Sequence, residues 1–599
     1  MLFVDPKCVD ALLLAGSIAA RSNRVGEATA LLRKALVEAP DSYDAVRWLA
    51  GLRMGLDGGE EAIELAQAAV RLRPKEPDPH VLLGMAYVAV QESRRAIPCF
   101  QEAVRLSPKM AGAYHNLGVA FQRDECKDEA IEAFQKALEL APGSVVTLLH
   151  LGTVYLTIEA TDKAIECAQR AFELQPGSRG ARRLLDDAQM TAVRSHNSDR
   201  HIREAIEQHP EASFPHALMG GRLQEQGKFG EAEEAILRSI ELQRVQGFAY
   251  FQFAHNRKIK ESDRPTLEQI EAVLQDPGLH PNDACYIHFA LGKAYDDLKE
   301  YERAIGHLDK ANTEGEVGTP EIEGGTPTYT SRVRAYRRLF TREFLERYQD
   351  IGFESDKPIF IFGMPRSGTT LLEQIISRHS TVGAAGEQLF WRDQRRRVVD
   401  LREGVLQVER LKSTGQKYLD LLSDLAPGSP HVTDKFPSNY VQLGLLQLLY
   451  PKAHFIHARR HPIDTALSVY MRPFLGVREF GNTKRKIVDS YKLYVETMEH
   501  WREVLPPGRF LEVDYELMVT RPDEMIRRVI AFCDLEWEDA CLRPEEGDRR
   551  VITYSKWQVR QPVYTTSVAR WRNYEPWLGT FGELFGMGTS REDVRAPVG

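Results

Sequence analysis

The chain of 599 residues has only seven cysteines, Cys8, Cys99, Cys126, Cys167, Cys285, Cys533 and Cys541. They are odd in number, scattered and without a CxxC pair, which argues against a disulfide framework and reads as thiols in a reducing compartment. No window reaches the roughly 18 uninterrupted apolar residues that a spanning helix requires. The start, MLFVDPKCVDALLLAG, lacks the basic segment that opens a secretory leader, so neither a membrane span nor export is expected, and the expected location is cytoplasmic. An excess of positive charge is missing too: 78 Lys and Arg stand against 86 Asp and Glu, for a net charge of −8. Affinity for a phosphate backbone needs a concentrated basic surface, so no nucleic-acid partner is expected. The densest basic cluster, Arg392 with Arg395 to Arg397, reads as a solvated helix face.

What is present is ordinary globular material. Apolar residues at 43% and charged residues at 27% exclude a disordered, collagen-like or wholly membrane-embedded chain. At roughly 100–200 residues per domain the length argues for two to four domains. Residues 351–599 carry 35 Lys/Arg and 33 Asp/Glu, so the net acidity lies upstream of them.

That upstream part is periodic. Pro40, Pro74, Pro108, Pro142, Pro176 and Pro210 follow one another at intervals of 34 residues. In phase with them stand Ala35, Ala69, Ala103, Ala137, Ala171 and Ala205, then Ala28, Ala62, Ala96, Ala130 and Ala164, and the glycines Gly16, Gly84, Gly118, Gly152 and Gly220. Small residues let two helices approach closely, and proline ends the second helix because it cannot continue the hydrogen-bond ladder. The pattern resembles the tetratricopeptide repeat, whose helix pairs stack into a superhelix. It is sharpest over residues 77–176 and fades over 177–210. It returns after an irregular stretch, with Gly292, Tyr295, Ala304, Leu308 and Ala311. About eight or nine repeats are expected over residues 5–315, the terminal ones degenerate. The resemblance implies a concave groove for a protein or peptide partner. A Gly-, Pro- and Thr-rich linker, GEVGTPEIEGGTPTYT, closes this part, and a helix is expected over 331–349, docking between the domains. The domain reading is repeats at 1–315, linker and connecting helix at 316–355, and a second domain at 356–599.

That second domain opens with PIFIFGMPRSGTT and LLEQIISRH, an apolar strand, a glycine-containing turn and a helix. Such a turn aims backbone N–H groups and the positive end of a helix dipole at an anion. Gly363 and Gly368 keep the GxxxxG spacing of nucleoside triphosphatases, but Thr369 and Thr370 follow where those proteins carry lysine. Positive charge sits inside the loop instead, at Arg366. The sequence PxSGTT resembles the loop of sulfotransferases that use 3′-phosphoadenosine-5′-phosphosulfate (PAPS) as co-substrate. A second strand-to-helix transition, KAHFIHARRHPIDTALSVY, carries Arg460 and, eight residues on, Ser468. In that superfamily an arginine and a serine so spaced hold the 3′-phosphate.

Within the superfamily, residues 356–578 most resemble the tyrosylprotein sulfotransferases. The resemblance implies that Ser367, Gly368, Thr369 and Thr370 cradle the phosphosulfate with Arg366, and that Glu387, 21 residues after Arg366, is the catalytic base. It also implies that Lys435, in TDKFPSNY, is the catalytic lysine, although the aspartate that follows it in the family is absent. Ser555 matches the catalytic serine, Arg570 and Arg472 match further cofactor contacts, and Tyr515, in VDYE, matches the tyrosine beside the nucleotide.

The chemistry calls for these residue types. Moving a sulfuryl group from a phosphate to a hydroxyl develops charge on the bridging oxygen and releases the acceptor's proton, so cations such as Lys435 and Arg366 and a base such as Glu387 are needed. No metal is implied; His454 and His457 of the possible trio with His461 fall on opposite faces of a strand. The expectation is an α-helical repeat superhelix followed by an α/β P-loop-like sulfotransferase domain with a mainly parallel sheet. The most favoured acceptor is a protein or peptide tyrosine recruited by the repeats. Carbohydrate or small phenolic acceptors stay open, as does a repeat scaffold with an inactive nucleotide domain. An ATP-dependent kinase is disfavoured by the missing loop lysine.

Overall fold

The computed structural model describes residues 7–587 except 23, 55–58, 91, 125, 159, 195–197, 318–328, 402, 474–482, 548–556 and 558–559. Two compact units form, one on residues 1–198 and one on residues 199–321 with 326–599. The last helical repeats, which the sequence pattern groups with the superhelix, are therefore part of the same compact unit as the α/β residues.

Between Val9 and Val317 the described chain forms eighteen helices, most of them packed on a neighbour in the sequence, as Pro77–Ala89 on Ser93–Leu106 and Ala111–Arg123 on Lys127–Leu140. Six helices end at Glu38, Leu72, Leu106, Leu140, Leu174 and Gln208, each two residues before a proline of the 34-residue series. Ala28, Ala62, Ala96, Ala130 and Ala164 are fully buried. The in-phase glycines are packing positions: a Cβ on Gly84 would lie 2.6 Å from the Phe100 ring, and one on Gly118 2.6 Å from the Phe134 ring. A methyl group at either site would push the two helices of that repeat apart.

Seven strands follow. They are β1 (Pro358–Gly363), β2 (Val382–Ala384), β3 (Val399–Asp400), β4 (Val405–Leu406), β5 (His431–Lys435), β6 (His454–Arg459) and β7 (Leu511–Asp514). Five of them make one sheet in the order β2-β5-β1-β6-β7, with every pairing parallel; β3 and β4 form a separate antiparallel hairpin. A parallel sheet is covered on both faces, so its strands are apolar throughout, and β1 is buried at all six positions. Alternate residues serve the two layers. Ile359 and Ile361 pack with Leu372, Ile375, Ile526 and Val529 of the helices Thr369–Ile376 and Pro522–Phe532. Phe360, on the other face, stacks with Tyr418 and Phe455 at ring separations of 6.0 and 5.2 Å. Each such side chain contributes about 1.5–3 kcal/mol on burial.

The connecting segment forms two helices, Tyr329–Leu339 and Arg342–Arg347, where the sequence pattern predicts one. Thr341 stops the first by capping the second, its hydroxyl accepting from the Phe344 amide at 3.2 Å. The segment packs on the α/β core. Phe340 meets the buried Trp501 edge-on, and Arg337 pairs with Glu496 at 2.7 Å.

Inside the second unit the last repeats are joined to the α/β residues by polar contacts. Tyr470 donates its hydroxyl to Asp309 at 2.6 Å, Asn312 donates to the Tyr470 carbonyl at 3.0 Å, and Arg560 donates to the Glu225 carbonyl at 2.8 Å. Asp296 accepts from the Tyr574 hydroxyl at 2.5 Å and pairs with Arg570.

Candidate active site

Because all five strands run the same way, their carboxyl ends lie on one edge, and ligands of open parallel sheets bind there. β1 ends in the loop 364–368, β5 ends on Lys435, β6 leads into Arg460, β7 into Tyr515, and β2 leads through Gly386 to Glu387. The registers Ile361 with Lys435, Gly363 with Ala458 and Arg459 with Asp514 fix these ends side by side.

The loop turns tightly. Gly363 and Gly368 have φ of +152° and +102°, and Arg366, a residue with a Cβ, is held at φ +71°. Gly368 is required for a second reason: a Cβ there would lie 2.8 Å from the Tyr515 ring. The left-handed arginine is strained by about 1–3 kcal/mol and persists because its neighbours hold it. Its carbonyl accepts from Arg460 Nη1 at 3.2 Å, and its Nε donates to Ser468 Oγ at 3.2 Å. Arg460 also donates to the Ser567 carbonyl at 2.6 Å and lies 4.7 Å over the Tyr515 ring. Arg366, Arg460, Ser468 and Tyr515 therefore meet at this edge of the sheet. Burial, and then Arg460, pull the Arg366 guanidinium down to about 10, with Arg570 adding to the effect. The site has a positive field, and Ser367 Oγ is buried with no hydrogen-bond partner among the described residues. Both features fit an anionic nucleotide. Thr369 is buried at the first position of the helix, Thr370 follows it, and Arg472 stands two residues after the helix Pro462–Tyr470.

On the other side of β1, Lys435 is buried and its Nζ donates to Oε1 of Glu387, whose side chain is still 41% exposed. The pair is asymmetric, with a fixed, buried ammonium and a carboxylate side chain open to solvent. Glu373, which the sequence reading missed, holds the pair in place. Its Oε1 accepts from the Gly386 amide at 3.2 Å and the Thr433 hydroxyl at 3.3 Å, and the Gly386 carbonyl accepts from the Lys435 amide at 2.9 Å. Burial raises the Glu373 carboxyl, and the Lys435 ammonium works against that. Asp434 faces the opposite side of β5, where Tyr418 donates to it at 2.5 Å and burial pushes its carboxyl up to about 7.

Arg570 comes to this region tied to the repeats. Burial disfavours its charge, but Asp296 outweighs that and keeps the guanidinium above its ordinary range. Ser555 lies outside the described residues. His454 and His457 serve packing: His457 stacks on Phe362 at 5.4 Å and bonds Glu512 at 3.1 Å. Among the described residues no group of three or more His, Cys, Asp or Glu is placed to hold a metal ion, and no helix is long and apolar enough to cross a membrane.

Residues 358–539 match the sulfotransferase family, and residues 2–77, 77–110 and 109–176 match tetratricopeptide repeats. The chain carries a sulfotransferase domain behind tetratricopeptide repeats. An uncharacterized protein of Aquifex aeolicus is 32% identical over 379 residues, 60% of this chain and 49% of that one. The protein-tyrosine sulfotransferase of Drosophila melanogaster is 25% identical over 30% of this chain and 38% of its own length. Protein-tyrosine sulfotransferase 1 of Homo sapiens is 24% identical over 32% of this chain and 55% of its own. The chain thus spans about half or less of the length of the first two relatives. The sulfotransferase domain begins at the first residue of β1 and holds the loop, Glu387, Lys435, Arg460, Ser468, Arg472 and Tyr515; Ser555 and Arg570 fall beyond the matched stretch.

Proposed function

We propose that this protein transfers a sulfuryl group from PAPS to an acceptor hydroxyl, and that the acceptor is a tyrosine of a protein or peptide recruited by the repeats. The observation that carries the reading is the convergence of Arg366, Glu387, Lys435, Arg460 and Tyr515 at the carboxyl edge of one parallel sheet, within a sulfotransferase domain. The tyrosine acceptor is supported by the protein-tyrosine sulfotransferases of fly and human, and recruitment by the repeats, which are protein-binding modules in general.

In this reading the backbone N–H groups of Ser367, Gly368, Thr369 and Thr370 face the phosphosulfate. Arg460, Ser468 and Arg472 hold the 3′-phosphate, Tyr515 lies beside the nucleotide, and Ser555 and Arg570 complete the contacts. The acceptor oxygen forms a bond to sulfur while the bond from sulfur to the phosphate oxygen breaks. Glu387 takes the hydroxyl proton, and Lys435 with Arg366 stabilises the negative charge left on the phosphate oxygen. Such charge develops in the transition state, so these cations act on turnover more than on binding. Residues 1–315 serve as the recruiting arm, 316–355 as the connector and 356–599 as the catalytic domain.

Calorimetry tests the cofactor assignment. Adenosine 3′,5′-bisphosphate should bind far more tightly than adenosine 5′-phosphosulfate, which lacks the 3′-phosphate. Equal affinity for the two would overturn the roles given to Arg460, Ser468 and Arg472.

A further inference from the structure

His255 lies in the last turn of the repeat helix Gly247–Asn256, more than a hundred residues before the sulfotransferase domain. Its Nδ1 is 2.8 Å from the Phe251 carbonyl oxygen. A carbonyl only accepts, so Nδ1 carries the hydrogen and Nε2 is left with its lone pair. Nε2 is buried and makes no hydrogen bond to any described residue. Buried polar atoms are nearly always paired, and an imidazole that served packing alone would be expected to satisfy both nitrogens.

The surroundings point to what is missing. The charged groups acting most strongly on the ring are Arg472, from the segment after Pro462–Tyr470, Lys293 of the repeat helix Pro281–Asp297, and Arg366 of the phosphate loop. Lys293 donates to Asp297 at 2.6 Å and to the Arg257 carbonyl at 2.5 Å, and Asp296 lies within its field. The Phe251 ring packs on the imidazole at 4.1 Å. The three groups whose charge acts most strongly on His255 are all cations. Burial and these charges hold the imidazole neutral, well below its ordinary range. An anion brought into this field reverses the balance, because it favours the protonated ring.

We propose that His255 is the repeats' own contribution to the nucleotide site: it takes up a proton from solvent when the nucleotide binds and donates Nε2–H to a phosphate oxygen. The proposal rests on the cofactor reading above. Since Arg472 is assigned to the 3′-phosphate, that phosphate is the anion concerned. The last repeats then serve catalysis directly, by completing the cofactor site, in addition to any recruiting role of the earlier ones.

The test is calorimetric titration of the full chain with adenosine 3′,5′-bisphosphate at pH 7.5, in two buffers of different ionisation enthalpy. The expected result is uptake approaching one proton per nucleotide bound, with affinity weakening as pH rises. His255→Gln should bind several-fold more weakly, show uptake near zero and unfold at the wild-type temperature. Equal uptake and affinity in His255→Gln would overturn the proposal. So would the absence of uptake in the wild-type chain, which needs no variant to fold. Failure of the wild-type chain to bind the nucleotide at all would instead overturn the cofactor reading, and this proposal with it.

Discussion

Replacing Asp296 by Ala removes the carboxylate that the last repeats offer to Arg570 and Tyr574. The side chains of Asp296 and Arg570 are 13% and 28% exposed, and Tyr574, which donates to the same carboxylate, is fully buried. Removing one partner of a fully buried ion pair costs roughly 3–5 kcal/mol, because the other charge is left uncompensated. Arg570 keeps some access to water, so the expected cost is lower, about 2–3 kcal/mol, with the orphaned Tyr574 hydroxyl included. The measurement is a double-mutant cycle of Asp296→Ala and Arg570→Ala by urea unfolding, with a coupling of about 1–2 kcal/mol expected. Its pH dependence has a definite sign. Although burial works the other way, Arg570 and Tyr574 hold the Asp296 carboxyl below its ordinary value. The stabilisation is therefore complete above the unfolded-state pKa and is lost as pH falls through the folded-state one, so the cost of Asp296→Ala should shrink in acid. Losses that add to within about 0.5 kcal/mol would refute the reasoning, because residues acting as one contact do not behave independently.

Arg460→Ala should weaken adenosine 3′,5′-bisphosphate by roughly 1.5–3 kcal/mol in calorimetry, the loss of charge-assisted hydrogen bonds. Glu387→Gln should leave that affinity nearly unchanged and lower turnover by about 10²–10⁴-fold; full activity in the variant would place the base elsewhere. Glu512 is held at about 2 against the cost of its burial by His457, Arg459 and Arg502. Its stabilisation, roughly 3 kcal/mol at most, is present above an ordinary glutamate pKa and lost as pH falls toward 2, so Glu512→Gln should flatten the acid limb of the unfolding curve. A chain beginning at residue 199 should keep nucleotide binding, whereas one beginning at 316, without His255, Lys293 and Asp296, should lose much of it; equal affinity of the two would contradict the shared compact unit.

The sequence made the repeats and the phosphate loop legible because each has a local signature. A 34-residue period of proline, alanine and glycine needs no tertiary information, and neither does an apolar strand followed by PRSGTT. Arg460 and Ser468 were singled out only by the superfamily's arginine-to-serine spacing, laid over a strand-to-helix transition. Lys435 and Glu387 were matched by family resemblance, and the structure adds the Glu373–Gly386 contact that holds them together. Asp296, Lys293 and His255 could not be singled out. Each is an ordinary polar residue on a repeat helix until folding brings it near distant chain, as Asp296 against Arg570, 274 residues on. The break at Thr341 was hidden for the opposite reason: apolar periodicity ran on through both helices, and a capping threonine outweighed it.

Sulfuryl transfer from PAPS to a hydroxyl is measured by incubating the full chain with sulfur-labelled PAPS and a cell extract, then identifying the labelled acceptors. The expected result is label on protein tyrosines, one adenosine 3′,5′-bisphosphate released per group transferred, and loss of both in Glu387→Gln and Lys435→Ala. A folded, nucleotide-binding wild-type chain that transfers no label to protein, carbohydrate or small phenol would contradict it.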